Sequence, residues 1–206
     1  MPDVKLRFPE AALLFLLGCV AALIGDHSHV VTATTEYYTD AVPFVWSSPF
    51  WFPLLVGGAS VSLAELRLHL PARRTSVTVR QGVAGAAVVV GVYVTTALVH
   101  GAPIVPATAL VCVAAVVTWC ALGDGAGAIC GAVAAIVGPV VEIGLVATGV
   151  FAYTDGSDGL FGVGPWLVPL YFAFGVVVAL LGELAADGRR GVETEMTSAV
   201  SGPGAG

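Results

Sequence analysis

Charge is what this sequence has least of. Only 11% of its 206 residues are Asp, Glu, Lys or Arg, asparagine is absent, and Lys5 is the single lysine, against 26 glycines and a 57% apolar majority. Such a composition excludes an ordinary soluble domain. The formal net charge of -6 comes mostly from acids in loops, span ends and tails, and it implies no nucleic-acid partner. Reaction centres are missing too: there is no Ser-His-Asp set, no H-E-x-x-H, no Walker loop and no pair of carboxylates at membrane depth. No catalytic residue, structural metal or cofactor is therefore expected, and the chain reads as a non-enzyme. Cys19, Cys112, Cys120 and Cys130 lack C-x-x-C spacing, which argues against a thiol-dependent membrane oxidoreductase. They read as small buried hydrophobes.

What is present in quantity is long apolar sequence. A hydrocarbon core of about 30 Å needs about 20 apolar residues at a rise of 1.5 Å each. Six windows of that order fit, at 9–25, 49–66, 82–100, 104–122, 127–151 and 164–184. Open backbone cannot face lipid, and these runs are too long and continuous for barrel strands. The expected fold is an all-α membrane protein, a six-helix bundle over residues 1–184, with a disordered cytoplasmic tail over 185–206. Pro9, Pro49, Pro106 and Pro165 fall in the first turns of their spans, whereas Pro139 lies mid-span and predicts a kink. Leu16-Leu17-Gly18-Cys19 resembles a lipoprotein cleavage box, but Val20 to Ile24 continue the apolar run, so the stretch reads as a span.

The eight basic residues fall in three stretches: Lys5 and Arg7; Arg67, Arg73, Arg74 and Arg80; Arg189 and Arg190. Two spans separate the first stretch from the second, and four separate the second from the third. One orientation therefore places every basic residue, and both termini, in the cytoplasm. The stretch from Arg67 to Arg80 also suits anionic headgroups, each charge contributing on the order of 1 kcal/mol. On the other side, the loop Asp26–Ser48 holds Asp26-His27-Ser28-His29, read as a solvated turn. Trp46, Phe50, Trp51, Phe52 and Trp166 read as an aromatic belt at the outer interface. Gly123, Gly127 and Gly131, and Gly82, Gly85 and Ala86, form small faces for helix contact within the bundle or between protomers of a homo-oligomer.

Glu142 is the charged residue deepest within a span, with no Lys or Arg at its depth, so desolvation favours its neutral, hydrogen-bonding form. It serves either a ligand headgroup or a structural bond to Thr148, Tyr93 or a carbonyl freed by Pro139. Tyr93, Thr95, Thr96 and Thr108 add hydroxyls that either pack against backbone carbonyls or place a few polar contacts in an apolar cavity. The ligand-binding candidates are Val89, Tyr93, Thr96, Thr108, Glu142, Thr148, Trp51 and Trp166. A small proton-linked transporter using Glu142 is the alternative. A third is an assembly protein that contacts other spans through Gly127 and Gly131.

Several stretches resemble one family, the insulin-induced gene (Insig) proteins. Gly149-Val150-Phe151-Ala152-Tyr153-Thr154 is similar to its G-V-Y-x-Y-T, and Trp166, Leu167, Phe172, Gly175, Val176 and Val178 follow its W-L-P-C-I-F-F-S-G-G-V-T-V. Ser47-Ser48-Pro49-Phe50-Trp51-Phe52-Pro53 resembles S-S-x-W-W-x-P, and Val90-Gly91-Val92 resembles V-G-I. Trp119 and Asp124 resemble the tryptophan and aspartate of W-W-T-F-D. The resemblance implies six spans, a sterol-like lipid between them, and retention of a sterol-sensing escort protein, with Asp124 at the position that binds the partner. The family's pocket phenylalanine falls at Val89, and its glutamine at about Ala107 or Thr108. These changes point to a glycerolipid such as diacylglycerol rather than a sterol. The lack of Asn and the excess of Ala, Gly and Val suggest a GC-rich, prokaryotic source and a cell-membrane location, where the escort is not expected.

Overall fold

Each apolar run closes its backbone hydrogen bonds internally and forms a helix, giving α1 (Phe8–Val31), α2 (Trp51–His69), α3 (Val79–Leu98), α4 (Ile104–Leu122), α5 (Gly125–Ala147) and α6 (Leu167–Val200). This computed structural model describes residues 5–38, 42–71, 74 and 76–200, with side chains as far as Asp187. All these helices except α2 are long and apolar enough to cross a membrane. In α2 the polar residues Glu65, Arg67 and His69 crowd the last turns and lower its mean hydropathy.

Helix bounds differ from the sequence windows where polar residues prove helical. α1 runs on to Val31, so Asp26, Ser28 and His29 belong to its last turns, and Asp26 and His29 are buried rather than part of a solvated loop. α6 continues to Val200 where the sequence suggests a disordered tail from 185, because Ala185, Ala186, Glu193, Glu195 and Met196 are good helix formers. Residues 201–206 lie outside the described residues. Pro9 and Pro106 stand in the first turns of α1 and α4, but Pro49 lies in a strand and Pro165 precedes α6. Pro139 sits inside the continuous α5. Cys130 is buried as expected, whereas Cys112 and Cys120 lie on the exposed face of α4.

α6 is the hub. Two thirds of its apolar stretch is buried (67%), against 22–33% in α1, α3, α4 and α5. α5, α4, α2 and α3 all pack on it, α5 next to α2 and α4 next to α3, and α1 covers α2 and α3. At one end of the bundle the Leu6 amide donates to Glu65 Oε1 (2.8 Å), and Arg74 Nη1 donates to the Leu122 carbonyl at the end of α4 (2.7 Å).

The other end carries short strands that the sequence reading does not anticipate. β1 (Thr35–Tyr37) pairs antiparallel with β4 (Phe151–Tyr153), Glu36 opposite Ala152. Likewise β2 (Phe44–Val45) pairs with β3 (Ser48–Pro49). Backbone leaving a helix end over an apolar core still needs partners, and these ladders supply them. Val92, Val111, Phe151, Val163, Trp166 and Leu170 form the core beneath this sheet end.

Candidate functional site

Glu142 lies about three-quarters of the way along α5 and faces inward, 5% exposed. Both its oxygens are held: Tyr171 Oη of α6 donates to Oε1 at 2.6 Å, and Tyr153 Oη of β4 donates to Oε2 at 2.8 Å. Neither Thr148 nor Tyr93 is its partner. Gly138, one turn before Glu142, makes room for this arrangement, since a Cβ there would fall 2.5 Å from the Tyr171 ring. Burial first, and then the neighbouring carboxyl of Glu142, pushes the Tyr153 phenol well up from its usual range, so it remains a donor. A partner removed here strands a buried oxygen. Tyr153→Phe and Tyr171→Phe are each expected to cost about 1–3 kcal/mol in stability, measured by thermal unfolding in detergent.

Around this trio the helices part. A cleft of about 590 Å³ runs between α2, α5 and α6, lined by Phe52, Val56, Leu63, Leu66, Val137 and Phe174 among others, with Glu142 and Tyr171 on its wall. A second cleft of about 450 Å³ lies between α1, α3 and α6, lined by Leu14, Gly18, Val89, Val90, Phe174 and Val177, with Ser60 of α2 at its edge. Between them sits a cavity of about 40 Å³ bordered by Tyr93, Glu142, Tyr171 and Phe174. Phe174 borders all three spaces. The result is two apolar clefts meeting at a small polar centre, which is the general make-up of a small-molecule site.

The sequence candidates divide accordingly. Val89, Tyr93 and Glu142 converge on this centre. Thr96 is buried next to it, donating to the Tyr93 carbonyl (2.6 Å) and lying 3.1 Å from His29 Nε2. Thr148 caps α5, bonded to the carbonyls of Gly144 and Leu145, and is exposed rather than inside. Thr108 Oγ1 has no partner among the described residues, and Thr108 borders none of these spaces. Trp51 opens α2 against the Phe52 ring. Trp166 is 0% exposed in the core beneath the sheet and so is no interface anchor, because it precedes α6 inside the folded connection.

Three residues of the site escape sequence reasoning as site residues. Tyr171 and Phe174 read as ordinary span residues, and their i, i+3 spacing on α6 places both toward α5 and α2. Tyr153 appears in the sequence only as part of a motif. Near the sheet end, Asp26 accepts from Tyr37 Oη (3.0 Å), and His29 Nδ1 lies 3.0 Å from the Gly25 carbonyl. The Tyr37–Asp26 bond fastens β1 to α1.

Asp124 stands at the opposite end and has a structural task. Its Oδ1 accepts from the Gly127 amide (2.6 Å) and caps α5. Its Oδ2 accepts from Arg67 Nη2 (2.9 Å). The same Arg67 nitrogen donates to Glu183 Oε1, and Arg74 donates to Glu183 from its backbone amide and Nε, each at 2.9 Å.

Six helices around a buried carboxyl, five of them apolar enough to span a bilayer, define a multi-pass membrane protein with an internal apolar site. No family model matches the sequence. The chain is 69% identical over 204 residues to an INSIG protein homolog of Mycolicibacterium vanbaalenii, covering 98% of this chain and all of that one. It superposes on the crystal structure of a mycobacterial Insig homolog from Mycobacterium vanbaalenii with a TM-score of 0.89 at 72% identity, over 90% of this chain and 98% of that one. A cross-linked trimer of that homolog matches equally well, with a TM-score of 0.89 at 70% identity and the same coverage. The chain belongs to the Insig family, and it is a multi-pass membrane protein of prokaryotic type.

Proposed function

We propose that this Insig homologue is a non-enzymatic lipid-binding protein that holds a glycerolipid, such as diacylglycerol, between its helices. The observation that carries this reading is the pair of apolar clefts joined at Glu142, Tyr93 and Tyr171. A rigid sterol needs one slot, whereas two clefts divided by Phe174 suit two chains joined at a small polar head. The larger cleft extends from Phe52 to Leu66, about 21 Å at 1.5 Å per residue. Half of an approximately 30 Å hydrocarbon core is about 15 Å, so an acyl chain fits along it. Both cleft volumes fall within the range of roughly 300–1,000 Å³ usual for ligand sites.

In this reading the chain makes six crossings with both termini cytoplasmic. The end that gathers Arg67 and Arg74 faces the cytoplasm and the strands face outward. α2 crosses as well, with Arg67 of its last turn buried against Asp124 and Glu183 rather than exposed to lipid. A homo-oligomer is part of the proposal, since a relative has been crystallised as a cross-linked trimer. Lipid retained after detergent purification and extensive washing, identified by mass spectrometry, is expected at one glycerolipid per chain. Labelled diacylglycerol should exchange with it competitively. Absence of both stoichiometric lipid and competitive binding defeats the proposal.

A further inference from the structure

The larger cleft has walls of unequal freedom. α5 packs along α6, and α2 packs on α1 and α6, so α2 and α5 face each other across the space with little direct contact. What joins them is concentrated at the basic end. Leu66 lines the last part of the cleft, and the next residue, Arg67, turns its fully buried guanidinium the other way, to Asp124 at the start of α5 and Glu183 of α6. One turn deeper Leu63 and Ala64 share an apolar cluster with Cys130 and Ala134, with a weak thiol contact from Cys130 Sγ to the Leu63 carbonyl at 3.9 Å and no ion pair among the described residues. Arg74 completes the group. Its Nη2 lies 2.9 Å from Glu183 Oε2 and its Nε 3.7 Å from Asp124 Oδ2. Two guanidinium groups and two carboxylates thus meet where α2, α5, α6 and the segment after α2 converge.

We propose that this ion cluster is a latch coupled to the cleft. The inference rests on the lipid-binding reading above. While Arg67 grips Asp124 and Glu183, α2 is held at a fixed distance from α5 and the cleft keeps the width seen here. When the grip is released, the apolar walls of α2 and α5 gain by closing on each other, as cavities do when their lining is free to relax. The latched state is therefore the lipid-accepting one. By linkage, lipid in the cleft must hold the latch closed as strongly as the latch favours lipid. Occupancy inside the membrane is thereby transmitted to the segment around Arg67 to Arg74 and to the α4–α5 turn.

The test uses the full-length protein in detergent, with labelled dioleoylglycerol as probe and hydrogen exchange read by mass spectrometry. Lipid is expected to slow amide exchange in segments 63–71 and 122–128. Asp124→Asn keeps an oxygen for the α5 cap but removes the charge that Arg67 holds. It should weaken lipid binding by at least about five-fold, the lower end of typical coupling between sites. Arg74→Gln, at a side chain 25% exposed, should act in the same direction and is the milder change. Should Asp124→Asn fail to fold, Arg74→Gln and exchange in the unaltered protein decide. Tight lipid binding with no change of exchange in either segment, and equal affinity in the variants, overturns the latch while leaving lipid binding intact. No binding of the probe to the unaltered protein overturns both.

Discussion

Arg67→Ala is expected to destabilise the protein by about 3–5 kcal/mol, the loss usual when one partner of a buried ion pair is removed. The magnitude follows from where the charges sit. Arg67 is 0% exposed and Glu183 1% exposed, so neither can turn to water for compensation. Without Arg67, the cationic partner left to Glu183 among the described residues is Arg74, and Asp124 is left with the longer 3.7 Å approach of Arg74 Nε. The vacated volume of a long buried side chain adds a cavity cost of the same sign. Arg67→Lys should fall between, because an ammonium keeps the charge but lacks the further donors of the guanidinium, whose Nη1 donates to the Pro71 carbonyl. The exposed Arg80 gives the control: Arg80→Ala should stay within about 0.5 kcal/mol of the unaltered protein. Thermal unfolding in detergent measures all three. If Arg67→Ala melts with the control, the cluster does not hold the helices.

Much of the helical framework is legible in the sequence because hydrophobic length is a one-dimensional signal. The window 104–122 coincides with α4, and the others miss mainly at polar ends, where Asp26 and His29 look like loop residues until their burial partners are known. Motif order makes the family legible as well, since Asp124, Tyr153 and Trp166 follow one another in the family's order, Trp166 two residues late. The candidate site was readable only in part. Glu142 stands out by charge alone, and Val89 and Tyr93 do meet it at one cavity. Its actual partners could not be chosen from the sequence, because Tyr153 comes from a strand after α5 and Tyr171 from the next helix. Periodicity does not say which hydroxyl crosses a gap between helices. Thr148 fails as a candidate for a local reason: a threonine at a helix end satisfies itself on the preceding carbonyls. Arg67 near Glu183 is foreseeable from charge. Asp124 joining the same group is not, because one guanidinium nitrogen serving two carboxylates depends on how α2, α5 and α6 converge.

Gly175→Leu is expected to abolish the folded bundle, and even Gly175→Ala should cost about 1–3 kcal/mol or more. A Cβ at Gly175 would lie 2.5 Å from the Cys130 carbonyl oxygen and 2.8 Å from the Gly131 Cα, both backbone atoms that cannot swing aside. On the facing helix, a Cβ at Gly131 would meet the Phe172 carbonyl at 2.9 Å. α5 and α6 therefore touch main chain to main chain, the close approach that small residues permit in membrane helices. This contact is inside one chain. It answers the question left open by the small-residue face around Gly131, which serves the bundle rather than a neighbouring protomer. Gly58→Ala and Gly91→Ala separate steric cost from helix propensity, because a Cβ at either position meets nothing within 4 Å. Those two should be neutral or gain up to about 1 kcal/mol, since alanine is the better helix former. The yield of monodisperse protein after detergent extraction and its thermal midpoint report the difference. Gly175→Ala matching Gly91→Ala would mean that α5 can slide along α6, and that the cleft walls are softer than their backbone contact implies.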